Sequence, residues 1–443
     1  MSTPIPTEEV HWNRAQNHYG RWHEKGALPY QPNGRLAFQR LRQPLFVPVI
    51  RPTFTLRRED KLFAIGSCFA RGIECALVEQ EMAVLSKATE FDSFPAINNE
   101  MKLGFTNKYS TFSIYNELRW ALDPAEEFPR ESLVDVGNGV FYDPHTNPAL
   151  QLAGFEETKH RREIIESVTR RVAQCRVVIV TLGLVEVWRD KIANVFINTA
   201  PIPAALRRHP DRYEFHITNF TENFSNLEHI HTLLSRFGHP DVQVVVTVSP
   251  VPLEATFSSE DVVIANTYSK SILRAAAQEW AATHKNVHYF PSYEIVQNSD
   301  RKVTWEGDLR HVKGEVVYHI MNLFLRHYFA GPPAIRAELS ASPNPVPPGA
   351  RRGKTTISWS SDGASAAVYV SVDGAEEKFF ASGSQGSEEA HWIQTRATYE
   401  FSLYSGPDRN TRLARISVTR PPNNKSDTLR TASRSKKYVS LAK

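Results

Sequence analysis

The chain is expected to fold as an α/β protein, a doubly wound parallel sheet with helices on both faces, followed by a small all-β sandwich. Two observations predict the first part. Between about residues 60 and 330, short apolar runs alternate with helical segments, and that alternation packs as a parallel sheet covered on both sides. The runs themselves, at residues 62–65, 177–180, 244–248 and 287–290, are rich in Val and Ile, as strands buried on both faces are. A third observation predicts the sandwich. From Thr355 to Thr419 the pattern changes to alternating β-branched and aromatic runs separated by turns such as Asp373-Gly374.

The elements follow in order. Residues 1–58 are rich in Pro, Arg, Gln and aromatics and read as an irregular arm packing on the main domain. Trp12, Tyr19, Trp22, Tyr30, Phe38 and Phe46 recur through it, and disordered segments are poor in such residues. Residues 59–330 form the main domain. One helix follows Ser67, with Ile73, Ala76, Leu77 and Val84 on its buried face, and others span 158–173, 222–237, 259–283 and 312–328. Residues 331–353, with Gly331-Pro332-Pro333 and a second Pro/Gly cluster, form a linker. Residues 354–420 carry strand signals at 355–359, 367–372, 399–404 and 413–418 and read as an immunoglobulin- or fibronectin-like sandwich without the cysteine pair of antibody domains. Residues 421–443 read as a disordered basic tail.

Composition narrows the class. The 443 residues are 41% hydrophobic and 23% charged, an ordinary globular balance. The formal net charge is +4, but the tail from Pro421 onward holds six Lys or Arg and one Asp, leaving the rest near −1. A nucleic-acid interface needs a basic face on the folded body, and only the tail is basic. Cys68, Cys75 and Cys175 cannot build a disulfide framework, which suits a reducing compartment, and all three are expected as packing residues. No signal peptide, membrane insertion, phosphate loop or cofactor is expected, and the default location is cytoplasmic. His229 and His231 lie two apart on a helix and cannot share a face, so no metal site is expected.

Two constellations carry chemistry. In Phe63-Ala64-Ile65-Gly66-Ser67-Cys68-Phe69-Ala70 a strand runs into a glycine and a serine opens a helix. A serine there is flanked by free backbone N–H groups and the positive end of the helix dipole, which stabilise an oxyanion. The competing role for Ser67 is simply to cap the helix. In Trp305-Glu306-Gly307-Asp308-Leu309-Arg310-His311, an Asp and a His three apart in a loop let the carboxylate fix the imidazole tautomer while the other nitrogen reaches a serine. Cys68 is a rival nucleophile, because a helix N-terminus lowers a thiol pKa. It points about 100° away from Ser67 on the helix.

The string Gly66-Ser67-Cys68-Phe69-Ala70 resembles the signature of the GSCFA family, which is similar to SGNH hydrolases. Thr181-Leu182-Gly183-Leu184-Val185-Glu186-Val187-Trp188, Thr247-Val248-Ser249-Pro250-Val251-Pro252, Asn266-Thr267-Tyr268-Ser269-Lys270-Ser271, Tyr289-Phe290-Pro291-Ser292-Tyr293-Glu294 and the Asp308/His311 pair extend the resemblance over about residues 60–330. More distantly, the chain is similar to polysaccharide O-acetyltransferases that use the same Ser and D-x-x-H. The resemblance implies an SGNH/flavodoxin-like three-layer fold, with Ser67, Asp308 and His311 catalytic. It implies an oxyanion hole from the Ser67 and Gly183 N–H groups and an asparagine amide. The usual G-x-N-D block is missing, since Glu186 rather than Asn follows Gly183. Asn107 is the first candidate and Asn198 the second, and for each a loop-stabilising amide is an equal alternative. Glu186 either orders a loop or binds substrate hydroxyls, and Trp188 is either a core ring or a sugar platform.

The expected function is therefore a serine esterase or O-acyltransferase acting on an acylated carbohydrate or other small ester. A glycan or protein partner is expected for the C-terminal β domain. The alternative is a catalytically silent SGNH scaffold that binds a glycan or protein.

Overall fold

The computed structural model describes residues 4–28, 34–95, 97, 104–148, 150–329, 337–349, 352–361, 366–405 and 412–422. The predicted basic tail and Tyr30 lie outside these residues, apart from the first two positions of the tail. The chain divides into two compact units, Met1–Ala330 and Gly331–Lys443.

The first unit is built on a five-stranded parallel sheet. Its strands are β1 (Lys61–Gly66), β2 (Ala83–Val84), β3 (Val177–Leu182), β4 (Gln243–Val248) and β5 (Val287–Tyr289), in the spatial order β5-β4-β3-β1-β2. This 2-1-3-4-5 order is flavodoxin-like, with its switch point between β1 and β3, and the crevice beyond the strand ends there is the favoured ligand position. Gly66 is in register with Thr181, and Thr181 with Thr247, so the residues leaving these three strands emerge side by side.

Alternation along β1 splits the core into two layers. Leu62 and Ala64 face one way, with Ile73 and Leu77 of α1 (Cys68–Glu79) and with Val317, Ile320 and Phe324 of a later helix, Gly314–Tyr328. Phe63 and Ile65 face the other way, with Ile114 and Leu118 of α2 (Thr111–Leu122), then, past α3 (Phe155–Arg170), with Leu227 and Ile230 of α4 (Phe220–Phe237) and Leu273 and Trp280 of α5 (Val262–Thr283). The Gly314–Tyr328 helix is α6. Each such Leu, Ile or Phe contributes roughly 1.5–3 kcal/mol by leaving water.

The structure departs from the sequence reading at several points. Val84 lies in the edge strand β2, not on the helix after Ser67, because α1 ends at Glu79 and Glu81 adopts a positive φ of 61°. Helix α2 went unanticipated. A three-stranded antiparallel sheet, Glu186–Asp190 with Val195–Ile197 and Tyr213–Ile217, is inserted between β3 and α4 and is anchored by a buried Arg212–Asp190 pair at 2.6 Å. In the N-terminal arm, Ile50 and Leu56 are buried and Leu45 and Phe54 pack on the core, whereas Trp12 and Trp22 are 64% and 70% exposed.

Among its described residues the second unit has seven antiparallel strands in two sheets. Ala337–Ser342, Gly353–Ser361 and Gln385–Ile393 form one; Lys378–Ser382, Ala367–Val372, Thr398–Tyr404 and Arg412–Thr419 form the other. Ile357, Ala390, Ile393, Val368, Phe401 and Leu403 fill the space between them. Tyr399, at the start of its strand, folds its hydroxyl back to accept the Gln394 N–H at 2.9 Å, the geometry of a tyrosine corner.

Tyr399→Phe removes the acceptor for that N–H. Chemical denaturation followed on the second unit is expected to show a loss of roughly 1–3 kcal/mol.

Candidate active site

The switch point between β1 and β3 is occupied by the turn that leaves β1. Gly66 has φ +138°, and a Cβ there would sit 2.2 Å from the Thr181 carbonyl oxygen and 2.3 Å from its Oγ1. Only glycine fits that conformation and that space. Ser67 follows in the N-cap position of α1, yet its side chain makes no capping bond. Its Oγ lies buried, 3.4 Å from Thr181 Oγ1, and its N–H donates to the Thr181 carbonyl over 3.3 Å. The hydroxyl is therefore not spent on the helix. Cys68, expected to be buried, is half-exposed. Burial of its sulfur still raises the thiol pKa, against the pull of Arg310 and Lys270, which disfavours the thiolate a nucleophile needs. Cys75 is likewise half-exposed, 3.7 Å from Lys87 Nζ, while Cys175 is buried and pushed up to about 12.

The Asp308/His311 pair sits in a loop entering α6. The loop is pinched by a bridge between Trp305 and Val312 and by the Glu306 N–H donating to the His311 carbonyl at 2.8 Å. Leu309 takes up the turn with φ +54°. Asp308 Oδ1 accepts the backbone N–H groups of Arg310 (2.9 Å) and His311 (3.0 Å), and Oδ2 lies 2.6 Å from His311 Nδ1. The His311 and Arg310 N–H groups, with the imidazole, hold the Asp308 carboxyl well below the usual carboxylate range. An ionised carboxylate only accepts, so Nδ1 carries the proton and Nε2 presents its lone pair. That lone pair faces Arg310 Nη1 at 3.4 Å. No hydrogen bond joins Ser67 to His311 in this structure; apo catalytic pairs are often loose and tighten on substrate.

The far wall of the turn is the segment 105–110. The Lys108 N–H donates to the Gly66 carbonyl at 2.7 Å. Gly183, at the end of β3, is packed so closely that a Cβ would lie 3.4 Å from Ser67 Cβ and 2.5 Å from the Tyr109 carbonyl oxygen. The peptide it forms with Leu184 is clamped at both ends. The Leu184 N–H donates to the Tyr109 carbonyl at 2.9 Å, and Lys270 Nζ donates to the Gly183 carbonyl at 2.7 Å and to that of Val251 at 2.8 Å. Burial draws Lys270 down to about 7. The Gly183 N–H has no acceptor among the described residues.

The two asparagine candidates separate. Asn198 Nδ2 donates to the Asn107 carbonyl (2.7 Å) and Oδ1 accepts the Tyr109 N–H (3.0 Å), so this amide ties down the 107–109 backbone. Asn107 Nδ2 donates to the Tyr109 hydroxyl at 3.2 Å, which Asn147 also contacts at 2.6 Å, while Asn107 Oδ1 is buried without a partner. Whichever way the amide is turned, one end of Asn107 is free. Glu186 accepts from Thr256 Oγ1 (2.5 Å) and the Phe257 N–H (3.0 Å) and so orders the loop after β4. Trp188 packs at 5.3 Å ring separation against both Phe215 and Phe257.

Behind this wall lies a buried ion cluster. Lys108 Nζ meets Glu117 Oε2 at 2.6 Å and the His145 carbonyl at 2.5 Å; Arg162 meets Glu117 Oε1 at 2.6 Å and Asp143 at 3.7 Å. Burial alone would raise the Glu117 pKa, but Arg162 and Lys108 outweigh it and hold it below its ordinary value. Lys108, Tyr109, Thr181 and Lys270 had no assigned role in the sequence reading, although all lie within or beside the quoted motifs. Their roles depend on backbone contacts that spacing does not encode. Among the described residues no group of His, Cys, Asp and Glu could hold a metal ion. A groove of about 710 Å³, lined by Arg40, Tyr289 and Tyr328, shares no lining residue with this site.

Comparison with known proteins places the site in a family context. The GSCFA family model matches residues 61–324. No curated protein matches the chain. Two solved structures show slight likeness. One is an FMN-binding beta-glucuronidase from Facaelibacterium prausnitzii L2-6, with 8% identity, TM-score 0.15, and coverage of 60% of this chain and 39% of that one. The other is a beta-glucosidase from Paenibacillus barengoltzii, with 9% identity, TM-score 0.14, and coverage of 83% and 41%. The chain thus spans about two fifths of the length of these structures, and at such TM-scores the likeness carries no argument.

Glu117→Gln leaves Lys108 and Arg162 buried without their shared carboxylate. Urea unfolding at neutral pH is expected to show a loss of roughly 3–5 kcal/mol. The folded pKa of Glu117 lies below its unfolded value of 4.5, so this contribution is complete above that pH and is lost as pH falls through the lower folded value. The gap between wild type and variant should therefore close in acid.

Proposed function

The chain belongs to the GSCFA family, and on that premise we propose that it is a serine esterase or O-acyltransferase of SGNH type, acting on O-acyl groups of a glycan or polysaccharide. The observation that carries the reading is the Asp308–His311 hydrogen bond, which leaves an imidazole lone pair available in the same unit as a buried serine hydroxyl that caps nothing. In this mechanism Ser67 Oγ attacks the acyl carbonyl and its proton passes to His311 Nε2. Collapse of the tetrahedral intermediate returns that proton to the leaving alcohol, and water or a sugar hydroxyl then takes the acyl group from Ser67. The oxyanion is assigned to the Gly183 N–H, the N–H groups at the start of α1 and the Asn107 amide turned so that its Oδ1 accepts the Tyr109 hydroxyl and its Nδ2 is the free donor. Asn198 is a positioning residue in this scheme.

The glycan part of the proposal rests on the likeness to polysaccharide O-acetyltransferases and on the appended sandwich, for which a saccharide or protein partner is proposed. The unpaired cysteines support a reducing, cytoplasmic location. Among the described residues no helix is long and apolar enough to cross a membrane. A second reading, a silent binding scaffold, is favoured by two observations: the Ser67 N–H is turned to Thr181, and no bond joins Ser67 to His311.

Intact-mass analysis after treatment with a fluorophosphonate separates the two. A single adduct is expected on wild type and none on Ser67→Ala, with His311→Ala slowing labelling by about 10²–10⁴. No adduct on folded wild type would favour the silent scaffold. Because the two units are separately compact, deletion of residues 331–443 should leave the labelling rate of Ser67 unchanged while weakening action on polymer. Loss of labelling in a folded truncation would overturn that division of roles.

A further inference from the structure

We propose that Arg310 selects for a carboxylate on the substrate, close to the ester that Ser67 attacks; this rests on the esterase reading above. Arg310 stands between Asp308 and His311 in sequence, and its guanidinium lies over the site. Nη1 is 3.4 Å from His311 Nε2, and the charge acts on both the Cys68 sulfur and the Tyr109 hydroxyl. Both of those groups border the Ser67 turn.

Its charge is poorly matched from within the protein. Arg71, Arg162, Arg176 and Arg212 pair at 2.6–2.7 Å with Glu74, Glu117, Asp60 and Asp190, all buried carboxylates. The acidic partner of Arg310 is Glu254, 3.3 Å away on the loop after β4, with a side chain 80% exposed. Asp308 spends its oxygens on backbone N–H groups and on the imidazole. The Arg310 Nε is buried with no acceptor, as are Arg71 Nε and Arg162 Nη1, but only Arg310 has an exposed carboxylate as its acidic partner among these. The other cation near Cys68, Lys270, is committed to two carbonyls. One guanidinium therefore faces the site with a donor unused, and its fork suits a carboxylate, which can take two N–H bonds from it.

Glu254 marks where such an anion sits. A substrate carboxylate that displaces it offers Arg310 a better partner and draws Nη1 away from His311 Nε2. The base is then freer to face Ser67 when an anionic substrate is bound than when a neutral one is. Substrate carboxylate and catalytic readiness are thus coupled through one side chain. The carboxylate has two sources, the acyl group itself, as in a succinyl half-ester, or the alcohol, as in a uronic acid.

The test compares matched ester pairs on the full chain. On the acyl side, an aryl monosuccinate is set against the same aryl acetate. On the alcohol side, an acetylated uronic acid is set against the corresponding acetylated neutral sugar. Wild type is expected to prefer the carboxylate member of one pair by about tenfold or more in kcat/KM. Arg310→Gln should bring that ratio close to one, Arg310→Lys should restore part of it, and Glu254→Gln should raise it by lowering KM for the anionic ester. If wild type forms the fluorophosphonate adduct yet shows no preference in either pair, the Arg310 proposal is wrong and the esterase reading stands. If no adduct or turnover appears, calorimetric titration with succinate and with glucuronate still decides it. Binding to wild type that is lost in Arg310→Gln supports the anion site, and equal heats or none overturn it.

Discussion

The geometry of the site depends on one contact, the Lys108 N–H bonded to the Gly66 carbonyl. It sets the distance between the turn that carries Ser67 and the segment that carries Asn107 and Tyr109. The side chain of the same lysine is locked from behind by Glu117 and the His145 carbonyl. Burying such a cluster is expensive, and an apolar replacement of equal volume is often no less stable. What ions offer here is direction. A lysine held at both ends cannot slide, so the segment it belongs to cannot drift relative to Gly66. Asn198 performs the same task on the neighbouring peptides, and Lys270 performs it on the Gly183 peptide across the turn. Three polar side chains thus fix the backbone on both sides of one hydroxyl, which is the preorganisation that oxyanion chemistry requires.

The features legible in the sequence were those with local causes. Strands β1, β3, β4 and β5 of the main domain, the glycine–serine turn and the D-x-x-H loop are each written in a few consecutive residues, and the family match covers the same stretch. Helix α2 was not legible, although Ser110 and Ser113 form a reciprocal cap, because its first turn carries no acidic residue and the flanking loops blur its apolar period. Strand β2 is two residues long, too short to leave a period. The aromatic residues of the arm were weighed as if each were buried, but an arm lying on a surface keeps one face wet, and Trp12 and Trp22 are on it. Cys75 illustrates the same limit: at the end of its turn of α1 it faces Lys87 rather than the core.

Within the site the division is similar. Residue type identifies groups able to do chemistry, Ser67, Asp308 and His311. It does not say which of two asparagines is tied to the backbone and which has a free amide end, since the backbone bonds of Asn198 reach across 89 and 91 residues of sequence. Lys270 is the clearest case. A lysine on an amphipathic helix reads as solvated, yet this one is buried and donates to two carbonyls that close the turn.

The edges of the main sheet have a consequence of a different kind. A sheet edge is a row of unpaired donors and acceptors that will template another chain unless it is kept short or charged. The parallel sheet ends on β2, with two residues, and on β5, with three, so neither edge offers enough ladder to recruit a second molecule. The sandwich has no such brevity. One of its outer strands, Gln385–Ile393, runs for nine residues. That strand carries exposed Glu388, a charge that two copies would bring together on pairing edge to edge, beside Glu389, which pairs with Lys354 at 3.0 Å. The two units therefore resist aggregation by unlike means, one through truncation and the other through repulsion. Only the second of these weakens as salt rises.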